Sequence, residues 1–151
     1  MLTNRAGYKL LRILRGAEKH LTATYDPITA ALTVVAYDAK VLLGFNRFRQ
    51  QWEIPGGRRN AGESLRDCAR RELLEESAQT PSKLCFKALA EVIRPSGLKK
   101  YTSLYLTHLN HLGPFAGTSE WQRIHLWDLK EDIGYIDEID REFVYDCSKE
   151  I

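Results

Sequence analysis

One stretch of the chain, GGRRNAGESLRDCARRELLEESA at residues 56–78, constrains the fold more than any other. Two adjacent glycines come first, and a helical pattern follows from about Glu63 to Ser77. Glu72, Glu75 and Glu76 lie within about 100° of one another on such a helix. The residues one or two turns earlier on that face are apolar or small: Leu65, Cys68 and Ala69. The stretch therefore predicts a helix that packs on a core through its first half and presents carboxylates on its second half.

The three carboxylates repel one another. Like charges four residues apart destabilise an exposed helix by about 0.2–0.5 kcal/mol per pair, and the penalty grows where water is excluded. Arg71 is within reach of Glu75 but is expected to lie at the flank of the cluster. Mg²⁺ or Mn²⁺ would offset the repulsion better, because both prefer carboxylate and phosphate oxygens. From these residues alone, an exposed helix with Arg–Glu pairs is the alternative.

The acidic helix and the elements predicted around it follow the order strands, helix, strands, helix. The predicted strands are residues 30–37, 40–45, 52–57, 86–93, 101–109 and 123–129, with turns at Asp38-Ala39 and Pro95-Ser96-Gly97. Helical spacing of Ile136, Ile139, Phe143, Val144 and Cys147 predicts a C-terminal amphipathic helix. Residues 8–17 fit a short helix and stay ambiguous. A sheet with helices on both faces, an α/β/α sandwich of the α+β class, is the packing that this order favours.

The composition fits one domain over residues 1–151. Hydrophobic residues make up 44% of the 151 positions, which is enough for a core. No run of 18 apolar residues occurs, so no membrane span is expected, and the first 16 residues are a poor signal peptide. The three cysteines are odd in number and form no CxxC motif, so we expect reduced thiols and a cytoplasmic location.

Charge is unevenly distributed, although the net charge is only +2. Ten acidic and four basic residues lie between Glu120 and Ile151, so this segment carries −6 and the remainder carries +8. Arginines are dense near the glycine pair: Arg47, Arg49, Arg58, Arg59, Arg66, Arg70 and Arg71. A guanidinium matches phosphate oxygens, so the cluster suits a phosphate-bearing partner. A solvated helix surface is the other interpretation.

The stretch resembles the signature of the Nudix hydrolase family. That signature is Gly, five residues, Glu, seven residues, Arg-Glu, an aliphatic residue, any residue and Glu-Glu. The matching residues here are Gly57, Glu63 and Arg71-Glu72-Leu73-Leu74-Glu75-Glu76, and the preceding WEIPGG resembles the usual lead-in. The family continues with Gly and an aliphatic residue, where this chain has Ala78 and Gln79. A left-handed helix end costs alanine about 1 kcal/mol or more, so we expect this helix to end differently, just before Pro81.

The resemblance implies a Nudix fold with a mixed central sheet, and hydrolysis of a nucleoside diphosphate linked to another group. It also implies Mg²⁺ or Mn²⁺, which neutralises the phosphate oxygens and lowers the pKa of an attacking water. Glu72, Glu75 and Glu76 would be metal ligands, together with the carbonyl of Gly56. The alternative role for Glu72 or Glu75 is that of the base that takes the proton of the attacking water. Glu63 would orient Arg71 or a water molecule.

Some members of the family take their catalytic base from a loop late in the chain. Glu120, just before residues 123–129, is the best match here, with an ordinary loop acid as the alternative. Glu91 is a weaker candidate. The residues expected to contact substrate are Arg47, Arg49 and Arg58 at the phosphates and Trp52 at the base. Core packing is the alternative role for Trp52 and for three further aromatic candidates, Phe45, Tyr105 and Trp121.

The substrate expected from this resemblance is a nucleoside triphosphate, normal or oxidised, that yields a monophosphate and pyrophosphate. ADP-ribose or a nucleotide sugar is the alternative, because Pro95 lies sixteen residues after Gln79; a turn explains Pro95 equally well. Capped RNA and dinucleoside polyphosphates remain open as substrates. No nucleic acid partner is expected other than an RNA 5′ end. A Nudix module that senses a nucleotide without cleaving it is a second alternative, against which the intact glutamates argue. The sequence leaves the oligomeric state open.

Overall fold

The computed structural model describes all 151 residues as a nine-stranded sheet with three α-helices. The strands are β1 Leu2–Thr3, β2 Lys9–Leu14, β3 Ile28–Tyr37, β4 Lys40–Asn46, β5 Gln51–Glu53, β6 Gly56–Arg58, β7 Cys85–Ile93, β8 Lys99–His108 and β9 Trp121–Trp127. The helices are α1 Glu18–Thr24, α2 Leu65–Ser77 and α3 Glu138–Asp146, and a 3₁₀ turn at Ser148–Glu150 follows. No helix is long and apolar enough to cross a bilayer.

The sheet is mixed. Its strand order is β1-β2-β7-β8-β3-β4-β5, while β6 pairs with the first half of β3 and β9 pairs with β4. The pairing of β3 with β8 is parallel, and every other strand pairing is antiparallel. The first half of β3 is therefore flanked by β6 on one side and by β8 on the other.

Helices cover both faces of this sheet, and alternation along β3 separates the two interfaces. Ala31 packs with Cys68 and Ala69 of α2, and α1 packs on the same face of the sheet through Leu21. Val34 and the residues two positions away from it on β3 face α3. The cluster on that side is the largest of the core and includes Val34, Ala36, Leu43, Ile54, Ile139, Phe143 and Val144. The predicted α/β/α sandwich is confirmed.

The N-terminal third contains the predicted β3–β4 turn and one helix, α1, that the sequence did not predict. Asp38 and Ala39 both have positive φ, 51° and 59°, which is the conformation of the tight turn predicted between β3 and β4. The ambiguous residues 8–17 form strand β2. Helix α1 was missed because it has only seven residues and its N-cap, Ala17, makes no side-chain cap bond.

Helix α2 ends where its motif predicts, despite the alanine. The helix starts after Ser64, whose hydroxyl accepts from the Asp67 N–H at 3.1 Å. It ends at Ser77, and Ala78 follows with φ 61° and ψ 19° and donates its N–H to Leu74 O at 2.9 Å. The expectation of a different helix end is therefore wrong, since tertiary contacts of the next residue hold the left-handed alanine in place.

Candidate functional site

The glycine pair and the last turn of α2 form the centre of the site. The Gly56 N–H donates to Glu76 Oε1 at 2.7 Å, and Glu76 is buried. A Cβ on Gly56 would lie 2.6 Å from the Ala31 carbonyl oxygen, and a Cβ on Gly57 would lie 2.6 Å from the Glu72 carboxyl group. Both glycines are therefore required by close approach, one to the neighbouring strand and the other to the helix.

Three carboxylates converge at this point. One oxygen each from Glu53, Glu76 and Glu120 lies within 4.8 Å of the other two. We call this group the acidic cluster. Its residues come from the end of β5, the last turn of α2 and the residue before β9. Of the predicted metal ligands, only Glu76 belongs to it, and Glu120 joins as the predicted loop acid.

Glu53 was missed by the sequence analysis, although it lies within the WEIPGG lead-in. Its side chain is buried and accepts hydrogen bonds from Asn46 Nδ2 at 2.9 Å, Gln51 Nε2 at 3.0 Å, Trp121 Nε1 at 3.2 Å and Arg49 Nη1 at 3.2 Å. A carboxylate with so many donors is fixed in position before any ligand binds. The only sequence signal was an acidic residue three positions before the glycine pair, outside the helical charge pattern.

Glu76 differs from Glu53 because its charge is poorly compensated. Burial raises the pKa of Glu76 to about 10, and Glu53 and Glu120 nearby add to the shift, while the Gly56 N–H opposes it. Hard divalent cations prefer sets of carboxylate oxygens such as this one. The donor set of the acidic cluster therefore fits a divalent cation, which would add to the positive charge that Arg49 places beside Glu53.

Glu72 and Glu75 are held by Arg71 rather than by the acidic cluster. Arg71 Nη1 donates to Glu72 at 2.9 Å and to Glu75 at 3.3 Å, and Arg71 Nε and Nη2 donate to both oxygens of Glu63 at 2.7 and 2.9 Å. These bonds to Arg71 lower the pKa of Glu63 to about 2. Arg71 is thus central among these acids, which corrects the expectation that it lies at their flank, and Glu63 has the contacts of an orienting residue.

The loop that carries Glu120 is fastened at both ends to the C-terminus of α2. The buried Gln79 side chain donates to Gly113 O at 3.1 Å and accepts from Gly113 N at 2.8 Å. Further along, the Thr118 hydroxyl donates to Glu76 O at 2.9 Å. Arg47 donates from its guanidinium to Thr118 O at 2.7 Å and from its backbone N–H to Glu120 O at 2.8 Å. Arg47, predicted to contact phosphate, positions this loop in the structure.

A cavity of about 380 Å³ opens beside the glycine pair. The residues of its wall with acidic or basic side chains are Arg49, Glu53, Arg58, Arg94, Lys100, Asp137 and Asp140. Two of the predicted substrate contacts, Arg49 and Arg58, are among them. Trp52 is not, because it is 7% exposed in the main core and donates its indole N–H to Ile133 O at 2.8 Å. The prediction that Trp52 stacks on a base therefore gives way to its core alternative. The aromatic residues on the cavity wall are Tyr8 and Phe143, and Phe143 is buried in the core.

Glu91, the weaker candidate for a base, lies elsewhere. It is buried in β7, where it accepts from Arg12 Nη2 and the Tyr101 hydroxyl, each at 3.1 Å. These partners account for its charge structurally, and it lines neither the cavity nor the acidic cluster.

Comparisons with known proteins agree with this geometry. The family model described as the NUDIX domain matches residues 27–146. A Bacillus subtilis pyrophosphohydrolase, BsRppH, superposes with a TM-score of 0.76 at 15% identity, covering 99% of this chain and 92% of that one. The NUDIX domain of Shewanella oneidensis NrtR, solved with ADP ribose, superposes with a TM-score of 0.68 at 18% identity, covering 89% of this chain and 99% of that one. A C. elegans Ap4A hydrolase superposes with a TM-score of 0.67 at 20% identity, covering 82% of this chain and 96% of that one. No curated protein sequence matches the chain.

Proposed function

The chain belongs to the NUDIX family of pyrophosphohydrolases, and on that premise we propose that it hydrolyses a nucleoside triphosphate, normal or oxidised, to a monophosphate and pyrophosphate. The observation that supports this most is the acidic cluster beside Gly56, at the rim of a cavity of about 380 Å³. A cation site next to a cavity of this size allows one ligand to place its phosphates at the acids and its nucleoside in the cavity.

We propose that Glu53, Glu76 and Glu120 hold a divalent cation, Mg²⁺ or Mn²⁺, with the Gly56 carbonyl as a further ligand. When bound, the cation supplies positive charge to the phosphate oxygens and lowers the pKa of an attacking water. Glu72 and Glu75 remain predicted ligands on the same helix. Arg71 contacts both, and the Glu72 carboxyl group lies against Gly57.

The protein's own groups complete the chemistry. Glu120 is partly exposed, whereas Glu53 and Glu76 are buried. We therefore propose that Glu120, through the carboxylate oxygen that does not bind the cation, is also the base that accepts a proton from the attacking water, with Glu72 or Glu75 as the alternative. Arg49 lines the cavity while its guanidinium contacts Glu53, a position from which it can also contact a phosphate oxygen.

A second candidate substrate is ADP-ribose. The NUDIX domain of NrtR, which shares this fold, was solved with that ligand. Pro95, the residue that raised this alternative, lies in the β7–β8 turn, where Gly97 N donates to Arg94 O at 2.8 Å. A module that only senses nucleotides is less favoured, because sensing does not require the convergence of three carboxylates.

The test is a substrate panel with Mg²⁺ and identification of the products. We expect turnover of nucleoside triphosphates, complete loss in EDTA and recovery when Mg²⁺ is restored. Glu76→Gln and Glu53→Gln should each lower kcat about 10²-fold or more, the scale of an electrostatic interaction made in the transition state. Glu142→Gln, on an exposed position of α3, is the matched control and should not change kcat. Undiminished turnover in EDTA contradicts the mechanism, and turnover of ADP-ribose alone selects the second candidate.

A further inference from the structure

One wall of the cavity holds three cationic side chains that have no acidic partner in the chain. Arg58 lies on β6, Lys100 on β8 and Arg94 just after β7, and all three line the cavity. None of them forms an ion pair. The neighbouring Lys99, by contrast, lies 3.8 Å from Glu91. We call Arg58, Arg94 and Lys100 the cation wall.

The sheet register brings the cation wall together on one face. The aligned pairs are Ala30 with Arg58, Ala30 with Thr102, and Val92 with Lys100. Side chains two positions apart on a strand share a face, so Lys100 lies on the side of Thr102 and Arg94 on the side of Val92. Arg94 and Lys100, at the two ends of the β7–β8 turn, therefore converge with Arg58, which comes from the distant strand β6.

The cation wall extends away from the acidic cluster. Strand β6 carries both Gly56, which contacts Glu76, and Arg58. From β6 the sheet continues through β3 to β8 and β7. At about 4.8 Å per strand, β8 lies about 10 Å and β7 about 14 Å from β6. A phosphate held between Lys100 and Arg94 is therefore separated from phosphates at the acidic cluster by a distance that a nucleoside can span.

The protein provides little to compensate this positive charge. Burial lowers the pKa of Lys100, and the charges of Arg94 and Arg58 lower it further. The Tyr8 ring, 5.4 Å from Lys100 Nζ, is its cation–π contact. Thr29 lines the same cavity, and its hydroxyl oxygen is buried without a hydrogen-bond partner. A partly desolvated lysine beside two arginines, together with a hydroxyl that lacks a partner, matches the needs of an anion with several acceptor oxygens.

We propose that Arg58, Arg94 and Lys100 bind a phosphate ester of the substrate that lies outside the scissile pyrophosphate. This identifies a substrate class, a nucleotide that carries a second phosphate, either as a monoester on the ribose or as the phosphodiester of a short RNA. The proposal rests on the proposed function, since it assumes that the 5′ phosphates occupy the acidic cluster.

The test is calorimetric binding of ligands without a pyrophosphate bond, in Mg²⁺, so that the enzyme does not consume them. The ligands are AMP, adenosine 3′,5′-bisphosphate and the dinucleotide pApA. We expect the bisphosphate or the dinucleotide to bind about tenfold more tightly than AMP, the scale of charge-assisted hydrogen bonds. Arg94→Gln and Lys100→Gln should each remove most of this gain. Lys99→Gln, which removes the same charge from an exposed neighbour, should preserve it.

The possible outcomes separate the ligand sources. A gain for the bisphosphate alone indicates a ribose monoester, and a gain for the dinucleotide indicates a phosphodiester. The proposal is overturned if neither ligand exceeds AMP, if Arg94→Gln and Lys100→Gln weaken AMP equally, or if Lys99→Gln has the same effect as Lys100→Gln. Hydrolysis of triphosphates is measured separately, so if the parent protein turns over triphosphates but binds neither the bisphosphate nor the dinucleotide more tightly than AMP, this subsite is refuted and the proposed function stands.

Discussion

Replacing Gln79 with leucine would restore the aliphatic residue of the family motif, yet the structure predicts a loss. The Gln79 amide is buried and makes two hydrogen bonds with the backbone of Gly113. Each lost bond leaves a backbone group of Gly113 without its partner and costs about 1.5 kcal/mol, so the two together cost about 3 kcal/mol. Burial of leucine in place of an amide returns about 1–2 kcal/mol. The net loss for Gln79→Leu is about 1–2 kcal/mol.

Thermal unfolding measures this loss. A chain of this length changes its Tm by about 2–4 °C per kcal/mol, so Gln79→Leu should unfold roughly 2–8 °C below the parent protein. Because Gln79 fastens the loop that carries Glu120, kcat should fall as well, by more than KM changes. Gln122→Leu makes the same chemical change at an exposed position of β9 and is the matched control. An unchanged or higher Tm with full kcat in Gln79→Leu would refute the anchoring role.

Two further predictions concern residues flanking the acidic helix face. Ala78→Gly should raise Tm by about 1–3 °C, because glycine relieves the left-handed strain but loses more backbone entropy on folding; a lower Tm would contradict the observed helix end. Glu63 has a folded pKa of about 2, below its ordinary value of 4.5, so its stabilising bond to Arg71 is fully present above pH 4.5 and is lost as the pH falls towards 2. Denaturant titrations between pH 5 and 2.5 should therefore show a weaker pH dependence for Glu63→Gln, and an identical pH dependence would show that this pair contributes nothing.

The sequence by itself determined the features that depend on neighbours along the chain. Helical periodicity identified α2 and its acidic face, since residues three and four apart meet on a helix whatever surrounds it. The turn at Asp38-Ala39 and the break at the glycine pair were likewise predicted from residues adjacent in the chain. The family signature added the sandwich fold and the class of chemistry, which the family match over residues 27–146 then established.

Tertiary structure alone decided which side chains meet across the sheet. Glu53 joins Glu76 because β5, β6 and α2 converge there, and no local pattern relates a strand acid to a helix acid. The cation wall depends on the parallel pairing of β3 with β8, which brings distant segments side by side. Likewise, the buried contact of Gln79 with Gly113 holds the chain beyond α2 in a conformation that alanine otherwise avoids. Propensity acts through adjacent residues, whereas these positions are fixed by strand order and packing, which one sequence does not display.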